Sequence, residues 1–196
     1  MELIEIVIAT GNEHKMGEYR TMFAHLPNVK LTSMKEENIN IDIVEDGQTF
    51  VDNALIKARA IAKLTNKYVL ADDSGLEVFA LNNFPGIYSA RFMEGQPYPL
   101  KWQALNDMLK DKENKGAQFS CALALILPSK EELIFEGIEK GRIVSEIVGT
   151  NGFGYDPIFF SETLNKTFGD ATDEEKNKVS HRGRALQKLF AYLQTK

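Results

Sequence analysis

A single cysteine, Cys121, excludes an intrachain disulfide framework, so the chain reads as reduced and intracellular. It lies in the strand-like run Phe119-Ser120-Cys121-Ala122-Leu123 and reads as a small buried hydrophobe. No run of eighteen apolar residues is present, which excludes a membrane-spanning helix. The opening residues Met1-Glu2-Leu3-Ile4-Glu5 are acidic and lack the basic start of a secretory signal, so the expected location is cytoplasmic. Positive charge is in the minority: 23 Lys and Arg against 28 Asp and Glu leave a net charge of −5. Duplex binding calls for a basic field, so neither nucleic acid nor a membrane is expected as partner. Internal repeats, low-complexity tracts and an interdomain linker are also missing. The 196 residues, 43% of them hydrophobic, fit one large domain spanning 1–196.

What remains is an ordinary globular pattern in which helices and strands interleave early and strands cluster late. Leu3–Ala9 reads as a buried strand, broken by Thr10-Gly11-Asn12 and followed by a helix over His14–Leu26. Val29–Ser33 is a second strand. Thr49 and Asp52 form a capping box for a helix carrying Phe50, Ala54, Ala58, Ile61 and Ala62 at helical spacing. Tyr68–Ala71 reads as a short strand ending in Asp72-Asp73-Ser74-Gly75, and Leu76–Leu81 as another. After a loop around Pro85-Gly86 come a helix over Leu100–Leu109, strands over Phe119–Leu127 and Leu133–Val148, and a Gly-rich segment, Gly149–Pro157. Ile158–Phe160 is a short strand, and the C-terminal helix Asp173–Leu193 breaks near Ser180. The class is α/β with a mixed sheet.

Four stretches carry candidate chemistry. Thr10-Gly11-Asn12-Glu13-His14-Lys15 follows a strand and opens a helix, where backbone N–H groups and a lysine suit phosphate. The Gly-x-x-x-x-Gly-Lys spacing of a Walker loop is missing, and an ordinary turn with a solvated lysine has the same appearance. Asp72-Asp73-Ser74-Gly75 places two carboxylates together, with Glu45 as a possible third. Oxygen donors of this kind suit Mg²⁺ shared with phosphates, and one carboxylate can take a proton from water, but the composition is also that of a turn. In Gly152-Phe153-Gly154-Tyr155-Asp156-Pro157, glycines surround two aromatics suited to stacking on a base, or to core packing. Lys176, His181 and Arg182 cluster donors that can read a carbonyl oxygen or phosphate, or cap a solvated helix. Together they are the parts of a nucleoside triphosphate site.

The sequence resembles the Ham1/RdgB family of inosine/xanthosine triphosphate pyrophosphatases over nearly its whole length. The resemblance rests on Ala9-Thr10-Gly11-Asn12-x-x-Lys15, on Glu45-x-Gly47-x-Thr49-Phe50-x-x-Asn53-Ala54-x-x-Lys57-Ala58, and on Ala71-Asp72-Asp73-Ser74-Gly75-Leu76 with Pro85-Gly86-x-Tyr88-Ser89-Ala90-Arg91. It is completed by Gly152-Phe153-Gly154-Tyr155-Asp156-Pro157 and Ser180-His181-Arg182. Asn151 departs from the glycine that many relatives carry there.

The resemblance implies a long curved mixed β-sheet flanked by helices, with two lobes and a central cleft. It also implies a homodimer, dependence on Mg²⁺, and hydrolysis of ITP, dITP and XTP to the monophosphate and pyrophosphate. By the same resemblance Thr10, Gly11, Asn12, Glu13, His14 and Lys15 hold the triphosphate with Lys57. Glu45 and Asp73 bind Mg²⁺ with Asp72 nearby, Asp73 is also the base for the attacking water, and Ser74 contacts substrate. Phe153, Gly154, Tyr155 and Asp156 enclose the base, Lys176, His181 and Arg182 contact it, and Arg91 reaches phosphate or sugar. Two other readings of the residues stand beside this one. One is a Maf-like pyrophosphatase acting on modified nucleotides; the other is a nucleotide-sensing or RNA-binding module.

Overall fold

The computed structural model describes residues 3–195. Its elements in chain order are β1 (Ile4–Ile8), α1 (Glu13–Phe23), β2 (Val29–Ser33), α2 (Phe50–Ala62), β3 (Tyr68–Val78), β4 (Phe84–Pro85), α3 (Tyr98–Leu109), β5 (Gly116–Ile126), β6 (Glu132–Ile143), β7 (Phe159–Ser161), β8 (Lys166–Thr167), α4 (Asp173–Val179) and α5 (His181–Leu193). The strands join in one sheet in the order β2-β1-β3-β5-β6-β7-β8, with β4 on β3. The pairs β1–β2 and β1–β3 are parallel; β3–β4, β6–β7 and β7–β8 are antiparallel. This is the α/β class with a mixed sheet that the sequence pattern leads one to expect. Among the described residues no helix is long and apolar enough to cross a membrane.

Several boundaries differ from the sequence expectation. The largest difference is at β3, which runs unbroken through Asp72-Asp73-Ser74-Gly75 where a turn is expected. Turn composition is overridden here because both carboxylates are buried and matched by lysines remote in sequence. β6 ends at Ile143, short of Val148. Helix α1 ends at Phe23, ahead of Pro27, and α3 starts early at Tyr98 with proline in its first turn, where a missing N–H costs nothing. The break at Ser180 is as expected: Ser180 ends α4 and caps α5, its Oγ accepting from Gly183 N at 3.1 Å.

The chain divides into two compact units. One comprises the stretch through Asp73 together with Ala122–Phe135; the other comprises Ser74–Cys121 and the stretch from Glu136 onward. In the first unit α2 presents Ala54, Ala58, Ile61 and Ala62 to a strip of alternating strand residues: Val7 and Ala9, Val69 and Ala71, and Ala122, Ala124 and Ile126. Period two in the strands and period 3.6 in the helix are what one buried face of each requires. Alanine on both sides lets helix and sheet approach closely. β1 turns Ile6 and Ile8, and β3 Leu70, to the opposite face, and α1 buries Met16, Tyr19, Met22 and Phe23. α1 and α2 lie on opposite faces, since Lys15 of α1 meets Asp72 and Asn53 of α2 meets the next residue, Asp73, as right-handed crossovers from β1 to β2 and back past β1 to β3 require.

The second unit is built on aromatics. Phe119 meets Phe159 at a centroid distance of 4.6 Å and lies nearly parallel to Phe168 at 5.9 Å. Leu76 and Val78 of β3, Leu105 and Leu109 of α3, and Ile158 complete this core. Cys121 is buried, as its run predicts.

The alanine interface of α2 yields a stability test. Ala58 is fully buried, and Ala58→Leu adds methylenes where backbone and sheet already touch. A loss of roughly 1–3 kcal/mol is expected, read as a lower urea midpoint with an unchanged slope.

Candidate active site

Strand β1 ends into the turn that opens α1. Ala9 N still donates to Leu70 O of β3 at 2.8 Å, so the turn starts from a fixed point beside β3. Asn12 is the N-cap, its Oδ1 accepting from His14 N at 2.9 Å and Lys15 N at 3.2 Å. Thr10 Oγ1 accepts from Asn12 N at 3.1 Å. That leaves the Thr10 hydroxyl proton and the Asn12 Nδ2 hydrogens as donors for a ligand. Gly11, Asn12, Glu13 and His14 are exposed, and a Cβ on Gly11 would meet nothing. A cavity of ≈ 540 Å³ opens at this turn. Its walls are Thr10, Gly11, Asn12, Glu13, Met16 and Arg20 on one side, and the segment from Ser33 to Asn40 on the other.

Alternation along β3 sends the two carboxylates to different helices. Asp72 follows Leu70 to the α1 face, where Lys15 Nζ lies 2.9 Å from its Oδ2. Asp73 follows Val69 and Ala71 to the α2 face. There its Oδ2 accepts from Asn53 Nδ2 at 3.0 Å, and its Oδ1 lies 3.8 Å from Lys57 Nζ. Asn53 and Lys57 are four residues apart and share one side of α2. Lys57 also pairs with Glu45 Oε2 at 2.5 Å. Asn53 Oδ1 accepts from Gly47 N at 2.9 Å, holding the Glu45 segment to the helix. A Cβ at Gly47 would fall 2.6 Å from Asp52 Cβ, so only glycine fits this approach. Burial pushes the Asp73 carboxyl above its ordinary value and the Glu45 charge adds to this, against the pull of Lys57, the Asn53 amide and Lys15.

Glu45 and Asp73 are hard oxygen donors that already share one ammonium, Lys57, so positive charge is called for between them. Among the described residues no three His, Cys, Asp or Glu side chains converge. The donor set therefore fits an ion of Mg²⁺ type completed by water and phosphate oxygens. Sequence reasoning assigned no role to Asn53, whose spacing from Lys57 was the available signal.

In the second unit the Gly-rich loop and the α4–α5 corner come together. Asp156 Oδ2 accepts from Phe153 N and from Lys176 Nζ, both at 2.8 Å. The Lys176 ammonium also lies over the Phe153 ring, 4.7 Å from its centroid. Lys176, Asp156, His181 and Arg182 are all buried. The His181 ring stacks on Phe119 at 4.8 Å and 13°, and Arg182 Nη2 donates to Ser74 Oγ at 3.0 Å. Tyr155 is committed to the core: its ring packs edge-on against Tyr98 and its hydroxyl donates to Ser89 O at 2.8 Å. Burial, with Tyr98 beside it, holds its phenol far above the ordinary tyrosine range. Gly154 packs against Tyr98, and its carbonyl accepts from Trp102 Nε1 at 2.9 Å. Arg91 lies over the Tyr88 ring. Asn151 bonds through its backbone to Gly169 and through its side chain to Ala171.

The expected site residues thus form two groups. Thr10 to Lys15, Glu45, Lys57, Asp72 and Asp73 belong to the first unit; Ser74, Phe153 to Asp156, Lys176, His181 and Arg182 belong to the second. The chain passes from one to the other between Asp73 and Ser74, consecutive residues of β3.

The sequence profile of the Ham1 family matches residues 6–192. The dITP/XTP pyrophosphatase of Staphylococcus epidermidis is 42% identical over 191 residues, covering 97% of this chain and 96% of its own. That of Staphylococcus aureus is 41% identical over 190 residues, 96% of each. Among solved structures, the Staphylococcus aureus Ham1 protein superposes with a TM-score of 0.88 at 40% identity, covering 97% of this chain and 98% of that one. A HAM1 protein from Coxiella burnetii gives 0.90 at 38% identity, covering 99% and 100%.

The raised Asp73 carboxyl has a consequence for stability. Folding favours its protonated form, so the ionised form costs stability once pH rises above the ordinary carboxylate range near ~4, and the full cost applies above the raised value. Asp73→Asn removes the charge and keeps an acceptor for Asn53. In chelator-containing buffer the variant is expected to melt a few degrees above the parent at neutral pH, with the gap closing as the pH falls to 4 and below. A lower melting temperature for the variant at neutral pH would contradict this.

Proposed function

The chain belongs to the Ham1 family, and from that premise we infer that it hydrolyses ITP, dITP and XTP to the nucleoside monophosphate and pyrophosphate, clearing deaminated purines from the nucleotide pool. The observation that carries this reading is the pair of buried, consecutive carboxylates in β3, one matched by Lys15 and the other by Lys57. The whole stretch 1–196 acts as one pyrophosphatase domain. The active species is a cytoplasmic homodimer.

A triphosphate carries about four negative charges near neutral pH and must be matched before it is held away from water. The α1 N-terminus with Thr10, Gly11, Asn12 and Lys15 supplies donors, and Lys57 a second ammonium. Glu45 and Asp73 hold Mg²⁺, which when bound offsets phosphate charge and orients the phosphate oxygens. Asp73 takes the proton of the attacking water on a carboxylate oxygen. Asn53 Nδ2 and the Lys57 ammonium hold that carboxylate in place.

Selectivity follows from donors. The ammonium of Lys176 and the N–H groups of His181 and Arg182 face a carbonyl at the purine six position favourably; adenine's amino group there sets donor against donor. Buried mismatches of this kind cost on the order of 10⁴-fold in kcat/KM. Phe153, half-buried beside Lys176, is the aromatic suited to the base, and Ser74 contacts substrate beside Arg182.

Anion-exchange analysis of an ITP digest with Mg²⁺ should give IMP and pyrophosphate, with no turnover when the metal is chelated. IDP and orthophosphate would mean a different phosphorus is attacked and would refute the reading. ITP and XTP should be turned over with far higher kcat/KM than ATP. Asp73→Asn should keep the KM for ITP and lower kcat by about 10²–10⁴; a parental rate would exclude Asp73 as base. Lys15→Ala should raise KM, and an unchanged KM would leave Lys15 only as the counter-charge of Asp72.

A further inference from the structure

We propose that Glu139 and Arg184, which the reaction itself does not use, are positioning residues that set base selectivity by holding the α4–α5 corner against β6. The inference rests on the reading of Lys176, His181 and Arg182 as base-contacting residues, all of which that corner carries.

Glu139 lies mid-way along β6 and is only 1% exposed. Its carboxylate is fully engaged. Oε1 accepts from Ser161 Oγ and from Thr163 N at 3.3 Å; Oε2 accepts from Thr163 Oγ1 at 3.1 Å and Arg184 Nη2 at 2.8 Å. Arg184 reaches in a second direction, where its Nε donates to Val179 O at 2.8 Å. Val179 is the last residue of α4, so this bond satisfies a carbonyl that the helix leaves open. One guanidinium therefore ties the end of α4 and the start of α5 to one buried carboxylate on β6.

The backbone around this pair is as close as it can be. Gly137 is on the same face of β6, two residues before Glu139, and a Cβ there would fall 2.1 Å from His181 O. A Cβ on Gly183 would fall 2.0 Å from Asn177 O. The first turn of α5 thus rests directly on bare strand backbone, and the corner between the helices is equally tight.

Stability alone does not account for this design. The Glu139 carboxylate is buried while the Arg184 side chain is 42% exposed, and such a pair contributes little net stability, because desolvation of the carboxylate and solvent screening of the guanidinium offset the attraction. Apolar contacts, however, allow a helix end to slide or rotate slightly, whereas directional bonds from one fork to Glu139 and Val179 do not. Base discrimination depends on that constraint, since a misplacement of ~1 Å in a positioning group can cost about 10²-fold.

The test compares steady-state kinetics for ITP and ATP in the parent protein, Arg184→Lys, Arg184→Met and the double variant Glu139→Gln with Arg184→Met, all assayed well below their melting temperatures. Arg184→Met and the double variant are expected to lose about tenfold or more of the ITP-over-ATP preference in kcat/KM, through a higher KM for ITP with kcat for ITP nearly kept. Arg184→Lys retains the charge beside Glu139 but not both bonds. It should restore the melting temperature and only part of the preference. The double variant leaves no bare buried carboxylate and gives the answer if Arg184→Met does not fold. An unchanged ITP-over-ATP ratio, or equal losses for both substrates in step with the folded fraction, would overturn the proposal. Failure of both Arg184→Lys and the double variant to fold would also overturn it, since the cluster would then serve stability alone. If the parent releases no pyrophosphate from ITP, the functional reading fails first and this inference falls with it.

Discussion

Two adjacent carboxylates cannot stay ionised inside a protein unless each finds its own cation, and the first unit is arranged around that requirement. A strand is the conformation that separates neighbours, because it turns Asp72 and Asp73 to opposite faces. Opposite faces are also where right-handed crossovers place α1 and α2. Lys15 on one helix and Lys57 on the other then answer the two charges separately. Had β3 ended before Asp72, both carboxylates would sit in solvent, without the burial and the fixed partners they have here.

The alanine face of α2 serves the same end. Small residues at Ala54 and Ala58 bring the helix backbone close to the sheet, so that Asn53 and Lys57 reach Asp73 from the adjacent side of the same turns. Asn53 then links three elements, since its amide nitrogen serves β3 and its oxygen holds Gly47 and, with it, the segment bearing Glu45. The core packing and the charge cluster are thus consequences of one helix placement.

The second unit solves a different problem, which is to hold buried cations in place. Lys176 is compensated by Asp156 and by the face of Phe153, and His181 lies flat on Phe119. These partners are themselves anchored: the Phe159 and Phe168 rings back Phe119, and the Tyr155 hydroxyl locks the loop after Phe153 to Ser89. The polar groups are therefore built on a rigid aromatic floor, as buried donors must be if they are to discriminate by alignment.

Local pattern made much of this legible in the residues themselves. The strand–turn–helix start, the capping box at Thr49, the helix carrying Ala54 and Ala58, the break at Ser180 and the residue types of every site segment follow from periodicity and capping chemistry, which act over a few residues. Family likeness in those segments pointed to the reaction. Tertiary structure alone decided that β3 continues through Asp72-Asp73-Ser74-Gly75, that Tyr155 belongs to the core while Phe153 carries an ammonium, that Asn53 bridges Gly47 and Asp73, and that Glu139 secures the α4–α5 corner. Each of those outcomes depends on a partner distant along the chain, and the energy of a buried charge or hydrogen bond is set by what surrounds it in space rather than by its neighbours in sequence.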